Sequence, residues 1–127
     1  MENSLVNKKC QACEGGVLAL KHDEVKTYME QIDSEWSVDE ESKVISKKYQ
    51  FKNYAKTIAF VNAIAWIAEQ EGHHPDLSVH YGKVIVDFTT HAVDGLTEND
   101  FICAAKIDLL LIVRGKQVTN ADDDARV

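Results

Sequence analysis

Proline is almost absent from this 127-residue chain, and its single copy is Pro75. Cysteine is scarce as well. Three copies, an odd number at Cys10, Cys13 and Cys103, make no disulfide framework in a chain this long, and a reducing compartment is expected. Long hydrophobic runs are missing. The longest nearly apolar stretch, Ile58 to Ala68, is eleven residues and contains Asn62, whereas a membrane span needs about 20; it reads as a buried helix segment. Basic charge is in deficit, with 14 Lys and Arg against 21 Asp and Glu and a net charge of −7. A sequence-independent grip on nucleic acid phosphates needs a basic face, and none is present in the linear order. No basic segment followed by an apolar one opens the chain, so a cytoplasmic location is expected.

What remains is ordinary globular composition, 45% hydrophobic and 28% charged, in a length that suits one domain able to bury a core without staples. Residues 1–20, with Cys10-Gln11-Ala12-Cys13 and Gly15-Gly16, read as an irregular arm. Residues 21–118 read as the single domain and 119–127 as a frayed tail. A first short helix is expected over Asp23 to Ile32, with Val25, Tyr28, Met29 and Ile32 at helical spacing and acidic residues in its first turn. Glu35 to Val38 and Lys43 to Phe51 read as strands joined by Asp39-Glu40-Glu41.

Asn53 is a plausible N-cap for a long helix ending near Gly72. Tyr54, Ile58, Val61, Ala65 and Ala68 form one apolar stripe, and Phe60, Ile64 and Ile67 a second beside it. A helix apolar over so much of its circumference calls for cover by its own sheet and by another subunit. Thr97 opens a T-x-x-D variant of the capping box with Asp100 at its third position. The helix it starts is expected to run from Phe101 to Arg114, with Phe101, Ala105, Leu109 and Ile112 inward and Gly115 as terminator. The order α-β-β-α-β-β-α implies an α+β fold: a four-stranded antiparallel sheet with three helices on one face.

Between the last two helices, Leu77 to Tyr81 and Val84 to His91 alternate apolar and polar residues around Gly82-Lys83, which suits a two-residue hairpin turn. That register pairs Tyr81 with Val84 and, carried to its end, brings His74 near His91. His73 would sit where the preceding helix stops. Histidine, with an ordinary pKa of about 6.5, both gives and takes a proton near neutrality. Two or three in one cleft supply an acid and a base together. Removing water from a carbinolamine needs that combination: one group protonates the departing hydroxyl while another takes the N–H proton as the C=N bond forms. No metal or redox cofactor is required.

Glu69, then His73-His74-Pro75 after three residues, Tyr81 after five, His91 after nine and Asp100 after eight, resembles the signature of the pterin-4a-carbinolamine dehydratases. The resemblance spans roughly Trp36 to Asp108. It implies a lyase that dehydrates 4a-hydroxytetrahydrobiopterin to quinonoid dihydropterin and recycles the pterin of an aromatic amino acid hydroxylase. It implies His73, His74 and His91 as catalytic and substrate-binding residues. Pro75, Thr89 and Thr90 would shape the pterin cleft, Asp100 would support it, and the assembly would be a homodimer or homotetramer without cofactor. Where animal members carry an acidic residue after the third histidine, this chain has Ala92.

Two other functions fit part of the pattern. One is a protein-binding dimerisation cofactor or transcriptional co-regulator, using the broad apolar helix over 53–72. The other is a metal-dependent hydrolase using His73, His74, His91 and Asp76, for which helical HxxxH spacing is lacking. Cys10 and Cys13 have the spacing of half a zinc site, with no second half. Trp66 and Phe60, at helical spacing, read as core, and His80 and His22 as surface residues.

Overall fold

The computed structural model describes residues 4–12, 17–113 and 116–117. In chain order it forms α1 (His22–Met29), β1 (Ser37–Val38), β2 (Ile45–Gln50), α2 (Tyr54–Glu71), β3 (Asp76–Val79), β4 (Lys83–Phe88), α3 (Glu98–Leu109), β5 (Ile112–Val113) and β6 (Lys116–Gln117). Single turns of 3-10 helix lie at Leu5–Asn7 and His91–Val93. The first four strands make one antiparallel sheet in the order β1-β2-β4-β3. This is the expected α+β arrangement, with helices packed on one sheet face.

That face is legible in the alternation of each strand. Ile45, Lys47 and Tyr49 of β2 are buried while Lys48 and Gln50 are exposed, and Val84, Val86 and Phe88 of β4 are buried. Lys47 is tolerated inside because Asp108 and Asp33 each place a carboxylate oxygen 2.8 Å from its ammonium. Asp108 also accepts from Trp36 Nε1 at 2.9 Å and from the Tyr49 hydroxyl. Burial and the Asp108 charge push the Tyr49 phenol far above its ordinary pKa, so it remains a donor.

The expected strand from Glu35 shrinks to Ser37–Val38. Trp36 turns inward instead, and Asp39 Oδ1 spans the following turn by accepting the N–H groups of Lys43 at 2.7 Å and Val44 at 3.0 Å. The first helix stops at Met29, short of Ile32, where Glu30 N–H closes a tight turn on Thr27 O. Asn53 caps α2 through Oδ1, which accepts Lys56 N–H at 2.9 Å, and Gly72 ends it at φ +68°, a conformation glycine adopts without strain.

Three expectations need correction. In α2 Trp66, read as core, is exposed, as are Tyr54 and Ala65, and the buried positions are Thr57, Phe60, Ile64 and Ala68. The second stripe therefore faces the sheet, because Phe60 packs on Tyr49 and Phe51 with centroids 4.7 and 5.0 Å apart. Thr57 joins it by donating to Asn53 O and Tyr81 O.

The hairpin register is two residues off the expected one. Val79 pairs with Val84, and His80 N–H donates to Lys83 O, which leaves Tyr81-Gly82 as the turn. The neighbouring strand decides this: Gln50 pairs with Lys83 and Phe51 N–H donates to Gly82 O at 2.8 Å, so Lys83 belongs to the ladder. A shift of two preserves the faces but moves every cross-strand partner.

Finally, α3 ends at Leu109 rather than Arg114, and residues 112–113 pair with 116–117 as a small second hairpin. Its buried side is Phe101, Ile102, Cys103, Ala104 and Ile107, whereas Leu109 is half exposed. Cys13, Arg114, Gly115 and the tail over 119–127 lie outside the described residues.

Candidate active site

Asp100 is where the two histidine-bearing loops meet. It sits in the first turn of α3 and has no solvent exposure. A carboxylate can be buried without large penalty only if its oxygens are satisfied, and three donors converge here. His73 Nε2 lies 2.6 Å from Oδ1, while Thr90 Oγ1 at 2.7 Å and the Thr97 N–H at 3.0 Å both donate to Oδ2. Nε2 is the His73 nitrogen engaged by Asp100, and Nδ1 is the nitrogen left for chemistry.

The loop after α2 supplies His73. Gly72 turns the chain left-handed, and His73 N–H still bonds back to Ala68 O, so the residue leaves the helix in a fixed direction. Its ring lies on Phe88, and its side chain is 12% exposed. His74, one residue on, is largely exposed, with Nε2 3.4 Å from Glu69 Oε1. Pro75 is half-buried and leads into β3.

The second loop follows β4. Thr89 Oγ1 donates to Lys43 O at 2.6 Å and lies 3.3 Å from Gly95 O, while Thr90 exchanges backbone hydrogen bonds with Gly95. His91, exposed, begins the 3-10 turn that ends in Asp94 at φ +54°. The β3–β4 ladder stops at Asp76 and Asp87, and β4 ends at Phe88. Strand register therefore does not set His74 opposite His91. What joins their loops is Asp100, bonded to His73 on one side and Thr90 on the other. His80 belongs to the hairpin end, away from this junction in the chain.

Sequence reasoning missed three participants. Phe88 falls on the apolar side of its alternating strand, and it is also the platform for His73. Thr97 was counted as a cap, and its Oγ1 is 2.9 Å from Thr90 Oγ1. The N-terminal arm docks behind the site: Leu5 is buried, Cys10 N–H donates to Glu71 Oε1 at 2.9 Å, and Gln11 exchanges two hydrogen bonds with the Asn99 side chain. Leu5 was the available signal, an apolar residue in a polar segment. Glu71 also accepts from Lys106 at 2.7 Å. Burial alone would raise the Glu71 pKa, but the Cys10 N–H and the Lys106 ammonium together hold it below its ordinary value. Among the described residues, no three His, Cys, Asp or Glu side chains are grouped closely enough to hold a metal ion.

Comparison with known proteins places this geometry among relatives. A family profile described as pterin 4 alpha carbinolamine dehydratase matches residues 18–110. A Legionella pneumophila (strain Corby) protein, provisionally named a pterin-4-alpha-carbinolamine dehydratase, is 51% identical over 112 residues, covering 88% of this chain and 99% of its own. A Nitrosomonas eutropha protein of the same provisional name is 50% identical over 108 residues, covering 85% of this chain and 94% of its own. The crystal structure of a transcriptional coactivator/pterin dehydratase from Brucella melitensis superposes with a TM-score of 0.68 at 27% identity, covering 72% of this chain and 97% of that one.

Proposed function

This chain belongs to the pterin-4a-carbinolamine dehydratase family, and from that premise we propose that it dehydrates 4a-hydroxytetrahydrobiopterin to quinonoid dihydropterin and water by histidine acid–base catalysis. The observation that carries the reading is the junction at Asp100. A buried carboxylate bonded to Nε2 orients His73, and through Thr90 it also anchors the loop that presents His91. Such second-partner orientation is how a general acid or base is held in productive geometry.

In the proposed reaction the C4a hydroxyl leaves as water after accepting a proton, and the N5–H proton passes to a base as the C=N bond forms. His73, acting as the imidazolium with Nε2–H held by Asp100, is assigned to give its Nδ1 proton to the hydroxyl. His74 and His91, exposed at the mouths of their loops, are assigned to the proton leaving nitrogen and to the pterin ring. Pro75, Thr89 and Thr90 bound the cleft. The substrate would come from an aromatic amino acid hydroxylase in the same cytoplasm, and the enzyme would work as a homodimer or homotetramer.

The test is the decay of synthetic 4a-hydroxytetrahydropterin in the presence of the protein, with and without a chelator. Accelerated decay indifferent to chelator is expected; no acceleration over buffer would defeat the assignment. A second reading, a protein-binding co-regulator, is favoured by the exposed aromatics Tyr54 and Trp66 on α2, of which Trp66 is 66% exposed. The two readings separate if a Trp66→Ala variant keeps full dehydratase turnover while losing association.

A further inference from the structure

Two thiols that the proposed dehydration does not use lie against each other behind the site. Cys10 Sγ, in the N-terminal arm, is 3.5 Å from Cys103 Sγ on α3, although the residues are 93 positions apart in sequence. Cys10 Sγ is also 3.6 Å from Asn99 O, and Cys103 Sγ is 4.0 Å from His73 O. Cys103 has no solvent exposure, whereas Cys10 is partly exposed, so a reagent in solution meets Cys10 first.

The contact is held from both sides. Glu71 accepts the Cys10 N–H, and Asn99 and Gln11 exchange two hydrogen bonds at 3.0 and 2.7 Å. The arm is thus seated so that the sulfurs need approach by only about 1.5 Å to reach bonding distance.

We propose that Cys10 is an oxidant-sensitive thiol and Cys103 its resolving partner, so that a low-molecular-weight disulfide such as oxidised glutathione converts them to an intramolecular disulfide tying the arm to α3. The Cys10 thiolate attacks one sulfur of the glutathione disulfide, breaking its S–S bond, forming a mixed disulfide and releasing one glutathione thiol. Cys103 then gives its proton to solvent and attacks Cys10 Sγ, expelling the second glutathione thiol. Two protein thiols are oxidised by two electrons, and one glutathione disulfide is reduced to two thiols.

The order of events follows from the surroundings of each sulfur. The hydrogen bond with Cys10 and burial both raise the pKa of the Cys103 thiol, which makes it a poor initiator. Once Cys10 is capped, the sulfur that Cys103 must attack is already beside it. Cys13, three residues from Cys10 in sequence, is the competing partner that the experiment must separate.

Full-length protein is incubated under native conditions with excess oxidised glutathione at mildly alkaline pH, then quenched with acid and mapped without reduction. The expected product in both the wild type and Cys13→Ser is a Cys10–Cys103 cross-link, with an intact mass two hydrogens lower. Its Tm should exceed that of the reduced protein by roughly 5–15 °C, reversibly with dithiothreitol. Cys103→Ala should stop at a stable glutathione adduct on Cys10, and Cys10→Ser, which leaves the core intact, should leave Cys103 unmodified. A predominant Cys10–Cys13 product in the wild type, or a Cys10 adduct in Cys13→Ser that never resolves, overturns the proposal. So does a failure of Cys10 to react.

Discussion

The imidazole of His73 and the ring of Phe88 lie 7° from parallel, with centroids 5.8 Å apart. Phe88 is the last residue of β4 and is 1% exposed, so the core itself supplies the surface on which this histidine rests. Replacing Phe88 by Leu removes a ring-on-ring contribution of about 0.5–1.5 kcal/mol beyond the area lost. Urea denaturation should report that loss, and turnover of the folded fraction should drop while His73 loses its platform. A variant with unchanged turnover would mean that the stack has no positional role.

Asp100→Asn preserves shape but places a donor among three donors. Either a bond to His73, Thr90 or Thr97 fails, which costs about 1–3 kcal/mol of stability, or His73 accepts the new amide N–H at Nε2 and takes the opposite tautomer. Because His73 loses its carboxylate partner in either case, turnover should fall by at least about tenfold with a smaller effect on pterin binding. Equal losses in both would point to a binding role alone.

Among the histidines, His74→Ala or His91→Ala should each lower turnover by about 10²–10⁴-fold. If both act on one bound ring, the double variant should lose less than the product of the single losses. His80→Ala is the internal control and should be nearly silent. Loss of activity there, with His91→Ala intact, would contradict the site.

At the far end of α3, Asp108 is eight residues from Asp100, roughly 12 Å along the axis. Asp108→Ala leaves the Lys47 ammonium, 6% exposed, with Asp33 as its carboxylate partner among the described residues, and removes the acceptor that Trp36 and Tyr49 share. A stability loss of about 3–5 kcal/mol is expected, with turnover per folded molecule nearly unchanged. An activity loss exceeding the unfolded fraction would show that the two ends of α3 are coupled.

Acid should loosen the arm. The Glu71 carboxyl has a folded pKa below its ordinary value of 4.5. Its stabilising contribution is therefore complete above about pH 4.5 and is lost as pH falls from there through the folded value. Glu71→Gln should be less stable than the wild type at neutral pH and should lose less on acidification. Thermal melts at stepped pH would show the two curves converging; parallel curves would remove Glu71 from the acid response.

Much of this was legible in the sequence because the signals are local. Asn53 and Gly72 bracket α2, Thr97 and Asp100 open α3, and the alternation of Val84, Val86 and Phe88 gives the buried face of β4. What was not legible depends on partners distant in sequence. Both stripes of α2 are equally periodic, and the rings of Tyr49 and Phe51 select Phe60 over Tyr54. The turn Gly82-Lys83 is good chemistry in isolation, but β2 recruits Lys83. For the site, residue identity and spacing marked His73 and Asp100, while the bond between them and the Phe88 platform needed the fold. The mutual distances that would bring His74 and His91 onto one substrate are the part that the histidine substitutions test.

The arm draws its anchors from late in the chain. Lys8 pairs with Glu98, Gln11 with Asn99 at a separation of 88 residues, and Cys10 with Glu71 and Cys103. The arm precedes both α2 and α3 in the chain and therefore has nothing to dock on until α3 has been made. Closing so large a loop is entropically slow and gains nothing until both α2 and α3 are in place. During synthesis the arm waits for α3, and the back wall of the site sets only then.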